Sequence, residues 1–224
     1  MSSPTFIGSK VWGETGHKSG VAYVKPIPRA SHRWSVKQLM IGPLSKWHDR
    51  VGTADLVAPT PDSQRPEVYE SMRKVVRFNG VNQRLDVAHP HPGVSTMVLV
   101  GRFGSSAAST YMITGGSGPA WNLYIGGNGN FAFFAGTTLS SSKPGDTSTH
   151  VFIVVRDGAG SVLSIDGVEW TGDTGSNVPT TLRIGATSST YAAIDIEDIT
   201  FLPYAAGPAE RASLLAEAKA QYGL

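Results

Sequence analysis

Between residues 74 and 202 apolar and polar positions alternate in short runs. They recur about every ten residues between Gly, Pro, Asn or Asp, the spacing of an antiparallel sandwich. The pattern predicts strands over Lys74–Phe78, Arg84–Val87, Ser95–Phe103, Thr110–Thr114, Trp121–Ile125, Asn130–Ala135, His150–Arg156, Ser161–Ile165, Val168–Trp170 with Thr181–Ile184, and Ala193–Leu202. Gly126-Gly127-Asn128-Gly129, Asp157-Gly158-Ala159-Gly160 and Asp166-Gly167 supply the positive φ that tight hairpins require, which excludes a parallel βαβ architecture.

Phase separates central strands from edges. In residues 96–100 and 151–155 both faces are apolar, so these strands should be covered on both sides. In Ala193–Phe201 the apolar set changes phase, from Ile194 and Ile196 to Ile199 and Phe201. A β-bulge near Glu197-Asp198 would put all four in the core. Residues 207–223 then read as a helix, with Pro208 in its first turn, Gly223 as its stop, and Arg211, Leu215, Ala218 and Tyr222 on the stripe that docks on the sandwich.

Upstream the pattern weakens. His32–Leu56 is broken by Gly42-Pro43 and Arg50–Thr53 into a strand, a turn and a loop capped by Trp47. Residues 1–31 hold scattered apolar positions without a period. They are expected to form an extended arm, with one short strand at Val21–Val24, that anchors the chain on a neighbour in an assembly. The domain proper is then residues 32–224.

Composition agrees: 224 residues suit one substantial sandwich, 26 Gly and 14 Pro suit many turns, and only 16% of residues are charged. A formal charge of +2 gives no phosphate-binding footprint, so no nucleic-acid partner is expected. No run is long enough to span a membrane and no signal peptide is evident, so synthesis in a cytoplasm is expected. With no cysteine, disulfides, thiolate metal sites and cysteine nucleophiles are excluded.

The ordered series Trp47-His-Asp-Arg-Val-Gly, Arg65-Pro, Val76-Arg-Phe-Asn-Gly-Val-Asn-Gln-Arg-Leu85, His150–Asp157, Ser164-Ile-Asp-Gly, Thr180–Gly185, Ile196–Phe201 and the final Ala209-Glu-Arg helix resembles the concanavalin A-like, laminin-G-type jelly-roll domains. Such domains are widespread in bacteriophage minor tail and fibre proteins. The resemblance covers about residues 33–224 and implies an all-β, antiparallel two-sheet jelly roll that binds glycans or proteins, sometimes with calcium. It makes Phe78–Leu85 a hairpin with facing core residues, gives His150 a structural role, and places Trp47 and Trp121 in the core. It also implies a non-enzymatic virion protein, most simply a minor tail protein for host-surface or glycan adhesion, held to other virion proteins by residues 1–31 in a homo-oligomer, a trimer at first guess. A capsid decoration or head-fibre protein is the near alternative, and a carbohydrate-active enzyme or free lectin the distant one.

The chemistry in the chain is sparse. Asp195-Ile-Glu-Asp198 lacks the E-x-D-x-x-E spacing with which related glycosidases put two carboxylates on one face, so a solvent-facing edge is the expectation and no catalytic residue is assigned. His89-Pro90-His91 has no third metal ligand at fixed spacing and reads as a surface loop. Asp146, Asp157, Asp166 and Asp173 lie in turns that favour Asp anyway, so no metal is assigned, no cofactor is expected, and calcium is left open. For a sugar, Trp170 and Tyr191 are the aromatics expected to be exposed. With the turn residues Asp173 and Asn128 they form the candidate ligand-binding set.

Overall fold

The computed structural model describes residues 29–224 except 92, 118 and 119. The proposed arm and its strand at Val21–Val24 therefore lie, but for residues 29–31, outside the described residues. The strands are β1 (His32–Ser35), β2 (Gly42–Pro43), β3 (Lys46–Trp47), β4 (Leu56–Val57), β5 (Glu67–Glu70), β6 (Lys74–Asn79), β7 (Leu85–Ala88), β8 (Ser95–Phe103), β9 (Thr110–Ser117), β10 (Asn122–Ile125), β11 (Asn130–Phe134), β12 (Thr138–Pro144), β13 (His150–Arg156), β14 (Ser161–Ile165), β15 (Val168–Gly172), β16 (Thr181–Ile184) and β17 (Ala193–Leu202). One helix, α1 (Pro208–Tyr222), follows them.

The strands form two antiparallel sheets. One runs β15-β14-β13-β8-β17-β6-β5-β2, with β1 pairing β17 beyond β6; the other runs β12-β11-β10-β9-β16-β7-β4-β3. Phe78, Phe103, Phe152, Ile196 and Phe201 of the first meet Leu85, Ile113, Leu123, Phe133 and Ile184 of the second in one core. The three glycine-containing turns close β10–β11, β13–β14 and β14–β15, as their sequences require. The stretch Phe78–Leu85 is not a hairpin. β6 and β7 belong to different sheets, and the Asn79 side chain accepts the amides of Val81 and Asn82 to turn the chain across the edge of the sandwich.

The phase change in β17 is a bulge. Ile196 faces Gly101 and Asp198 faces Val100, so Glu197 is the extra residue, and Ile194, Ile196, Ile199 and Phe201 all reach the core. Asp195 takes the outer face by alternation, and the bulge adds Glu197 and Asp198 to it. They are not a solvent-facing edge: all three are buried, because β17 is central in its sheet and other side chains cover it.

The doubly apolar strands β8 and β13 have two covers. Their inner residues join the main core, while Val98, Val100, Val151 and Ile153 pack on Leu202, Leu214, Ala218 and Tyr222. Helix α1 thus roofs part of this sheet, hereafter the covered sheet. Leu214 rather than Leu215 is the deeper leucine of its stripe, and Leu215 packs at the margin. Gly223 closes the helix at φ 64°, donating to the Lys219 carbonyl. The end of the helix is tied to the start of the sandwich, where Arg33 donates to the Gln221 side chain and Lys37 to its carbonyl, at 2.9 and 2.7 Å.

Candidate functional site

Among the described residues the other sheet carries no helix, and its outer face is organised in two rows by strand register. One row runs Asp86–Arg183–Thr114–Asn122–Phe134 across β7, β16, β9, β10 and β11. The next sets Tyr111 of β9 beside Tyr124 of β10 and Ala132 of β11. The two tyrosine rings stack 5.1 Å apart and within 5° of parallel. A second bulge makes this possible: Met112 and Ile113 both turn inward, which puts Tyr111 and Thr114 on the outer side of β9, where Thr114 is itself buried with its hydroxyl donating to the Ala186 carbonyl at 2.7 Å.

Over these rows lies an open groove of about 550 Å3 bordered by Tyr111, Thr114, Asn122 and the loop Thr187–Thr190. The loop is pre-formed. Its Thr187 hydroxyl bonds Thr190 Oγ1 at 2.7 Å and accepts the amides of Ser189 and Thr190, and an Ala186–Tyr191 bridge closes its base. Arg183 is fixed on Asp86 through Nε at 2.7 Å, with Nη1 on the Thr187 carbonyl. An aromatic ring beside the Asn122 amide and the fixed hydroxyls of the loop suits a polyhydroxylated ligand, whose C–H faces stack while its hydroxyls bond.

The four residues proposed from sequence are not brought together. Tyr191 borders a small recess of about 60 Å3 shared with Tyr111 and Thr190, at the foot of the groove. It is half-buried rather than exposed, since the bridge to Ala186 holds it down and its hydroxyl meets Arg84. Trp170, on the edge strand β15, is likewise half-buried; it packs on the main core and donates to Ser142. Asn128 and Asp173 are exposed but serve their own turns, accepting the amides of Asn130 and Gly175. Tyr111, Tyr124 and Asn122 did not emerge from the sequence. The signal was present, because both tyrosines fall out of phase with the core residues of their strands and so belong to the outer face.

Other candidates resolve into structural roles. Trp47 and Trp121 are core residues, as expected. His89 and His91 do not form a surface loop: both are partly buried with their rings against Phe201, and burial pushes the His89 imidazole down to about 4. His150 is held between Asp166 at 2.6 Å and Asp146 at 2.9 Å. Burial opposes its charge, but the two carboxylates outweigh it and raise its pKa. Two of the four turn aspartates are therefore committed to an imidazole. Among the described residues no group of three or more His, Cys, Asp or Glu is placed to hold a metal ion.

No protein-family model and no curated protein matches the chain. Solved structures do resemble it. Trypanosoma rangeli sialidase in complex with sialic acid aligns over 88% of this chain at TM-score 0.66 and 14% identity. The binding domain of botulinum neurotoxin DC in complex with SialylT aligns over 84% at TM-score 0.59 and 10% identity. The same binding domain in complex with rat synaptotagmin II gives TM-score 0.57. The chain spans about a third of the sialidase (34%) and about half of the toxin domain (51%). At these identities the likeness is one of fold: a concanavalin-like β-sandwich.

Proposed function

We propose that this chain is a non-enzymatic glycan-binding module that holds a saccharide in the groove on its open sheet. The observation that carries the proposal is the stacked Tyr111–Tyr124 pair beside Asn122 and the pre-formed Thr187–Thr190 loop. A sugar would lie against the tyrosine at the groove and bond Asn122 and the hydroxyls of the loop. Trypanosoma rangeli sialidase in complex with sialic acid and the botulinum neurotoxin DC binding domain in complex with SialylT contain a sandwich of this shape, which supports the reading. The finer setting, a bacteriophage tail or fibre protein that adheres to its host and is anchored by residues 1–31, rests on the ordered residue series that resembles that family.

Glycan-array binding by the purified chain, repeated with Tyr111→Ala and Asn122→Ala, is the test. We expect a defined glycan class to bind, each variant to lose about tenfold or more, and Trp170→Ala to leave binding unchanged. Binding untouched by both groove variants would sink the site, and release of reducing sugar by the wild-type chain would sink the non-enzymatic reading.

A further inference from the structure

The outer face of the covered sheet carries a second recess, beyond the end of α1. It is a cavity of about 200 Å3 at the Ser71–Arg73 turn, walled by Arg73, Arg77, Arg102 and Thr149, floored by Asp195 and Glu197, and edged by Val75 and Met72. Strand register builds it. Asp195 of β17 stands directly between Arg77 of β6 and Arg102 of β8, and the neighbouring bulge adds Glu197 to the same face.

Asp195 is fully used. Arg77 grips it through Nε at 2.8 Å and Nη2 at 3.0 Å, and Arg102 through Nε at 2.8 Å and Nη2 at 2.7 Å. Its burial alone would raise its pKa, but the two guanidinium groups outweigh that and hold it low. One carboxylate thus faces two cations, and the Arg77 guanidinium also lies over the Tyr69 ring, 4.1 Å from its centroid. Glu197 is not used in this way. Its side chain is 4% exposed, yet among the described residues its polar partner is Arg73 alone, with Nε 3.4 Å away. Arg73 also donates to the Tyr222 carbonyl. A buried carboxyl without a close hydrogen bond is costly unless something else completes it.

The recess therefore offers positive charge in excess, an under-bonded carboxyl, the Thr149 hydroxyl, and the apolar surface of Val75 and Met72. Its volume is below the ~300–1,000 Å3 of a drug-sized pocket and suits a single small ring. We propose that it binds an acidic monosaccharide, with the ligand carboxylate on Arg77 and Arg102 and its hydroxyls on Glu197 and Thr149. The site is separate from the groove on the open sheet and stands or falls independently of it.

The site should respond to pH. Burial pushes Glu197 up to about 7, opposed by Arg73 and Lys37 and reinforced by Asp195 and Asp198. Below that pH Glu197 is neutral and donates to the ligand; above it the carboxylate repels the ligand's own. Affinity should fall as pH rises from 6 to 8.

Titration calorimetry on the full chain with glucuronate tests the proposal, with glucose and inorganic phosphate as controls. Glucuronate should bind at pH 6, with glucose and phosphate each at least about tenfold weaker. Glu197→Gln should abolish the change in affinity between pH 6 and 8. Met72, 99% exposed, gives a variant that cannot disturb the core: Met72→Glu should weaken glucuronate about fivefold by placing a negative charge at the mouth. Tyr111→Ala should have no effect here. Absence of glucuronate binding, phosphate or glucose binding as tightly, or indifference to Met72→Glu would each overturn the proposal.

Discussion

Replacing Asp198 by asparagine tests whether the buried polar cluster beneath α1 is a unit. Asp198 Oδ2 accepts from Arg33 Nη2 at 2.9 Å and from the Tyr222 hydroxyl at 2.5 Å, and Oδ1 accepts from the Thr200 hydroxyl at 2.8 Å. The Arg33 and Asp198 side chains are 3% and 5% exposed, so water screens neither. Burial raises the Tyr222 pKa, and Asp198 raises it further, so this hydroxyl stays a donor across the working range. Asparagine keeps the shape and removes the charge that Arg33 faces. Breaking one side of a buried pair costs about 3–5 kcal/mol. Tyr222→Phe removes one bond to a charged acceptor, about 1.5–3 kcal/mol. Because that bond ends on Asp198, the double variant should cost about 1–2 kcal/mol less than the sum of the two. Urea denaturation of the four proteins at pH 7, with unchanged m values, measures all three quantities. A loss below about 1 kcal/mol for Asp198→Asn, or strict additivity with Tyr222→Phe, would refute the claim that the cluster acts as one.

Gly185→Ala should destabilise by about 2–4 kcal/mol in the same assay. Gly185 has φ +80°, and an added Cβ would stand 2.5 Å from Phe78 Cδ1, so a variant within 1 kcal/mol of wild type would contradict the packing. Melting temperature against pH should show two limbs. His150 has a raised pKa, so its contribution is present below about 6.5, the unfolded value, and is lost as pH rises through its folded value. Asp146 and Asp166 are lowered, so theirs is present above about 4 and lost only as pH falls through their folded values. His150→Gln should flatten the alkaline limb, and an unchanged limb would remove His150 as its cause.

Wherever the sheet periodicity is strong, the chain announces its fold. β8, β13 and β17 could be drawn from apolar phase alone, and the bulge at Glu197 was visible because moving Ile199 and Phe201 inward requires one extra residue. β12 was not visible, since Thr138–Pro144 is an edge strand of mostly polar residues with Leu139 as its anchor. The sites were harder for a related reason. A strand states which face a residue takes, but not which residue of another strand lies beside it. Asp195 meets Arg77 from 118 positions away, and Tyr111 meets Tyr124 across a bulge. Trp170 and Tyr191 drew attention as aromatics near turns, yet turn proximity says little about burial when a neighbouring strand or bridge packs on the ring.

The bonds from Arg33 and Lys37 to Gln221 have a mechanical consequence. They pin the last helical turn to the stretch Arg33–Lys37, whereas Ser31 bonds the Phe201 carbonyl nearer the start of the helix. A pull on Leu224 would load the Gln221 contacts first and peel α1 from its C-terminal turn, so the roof would lift before any strand pair of the covered sheet parted.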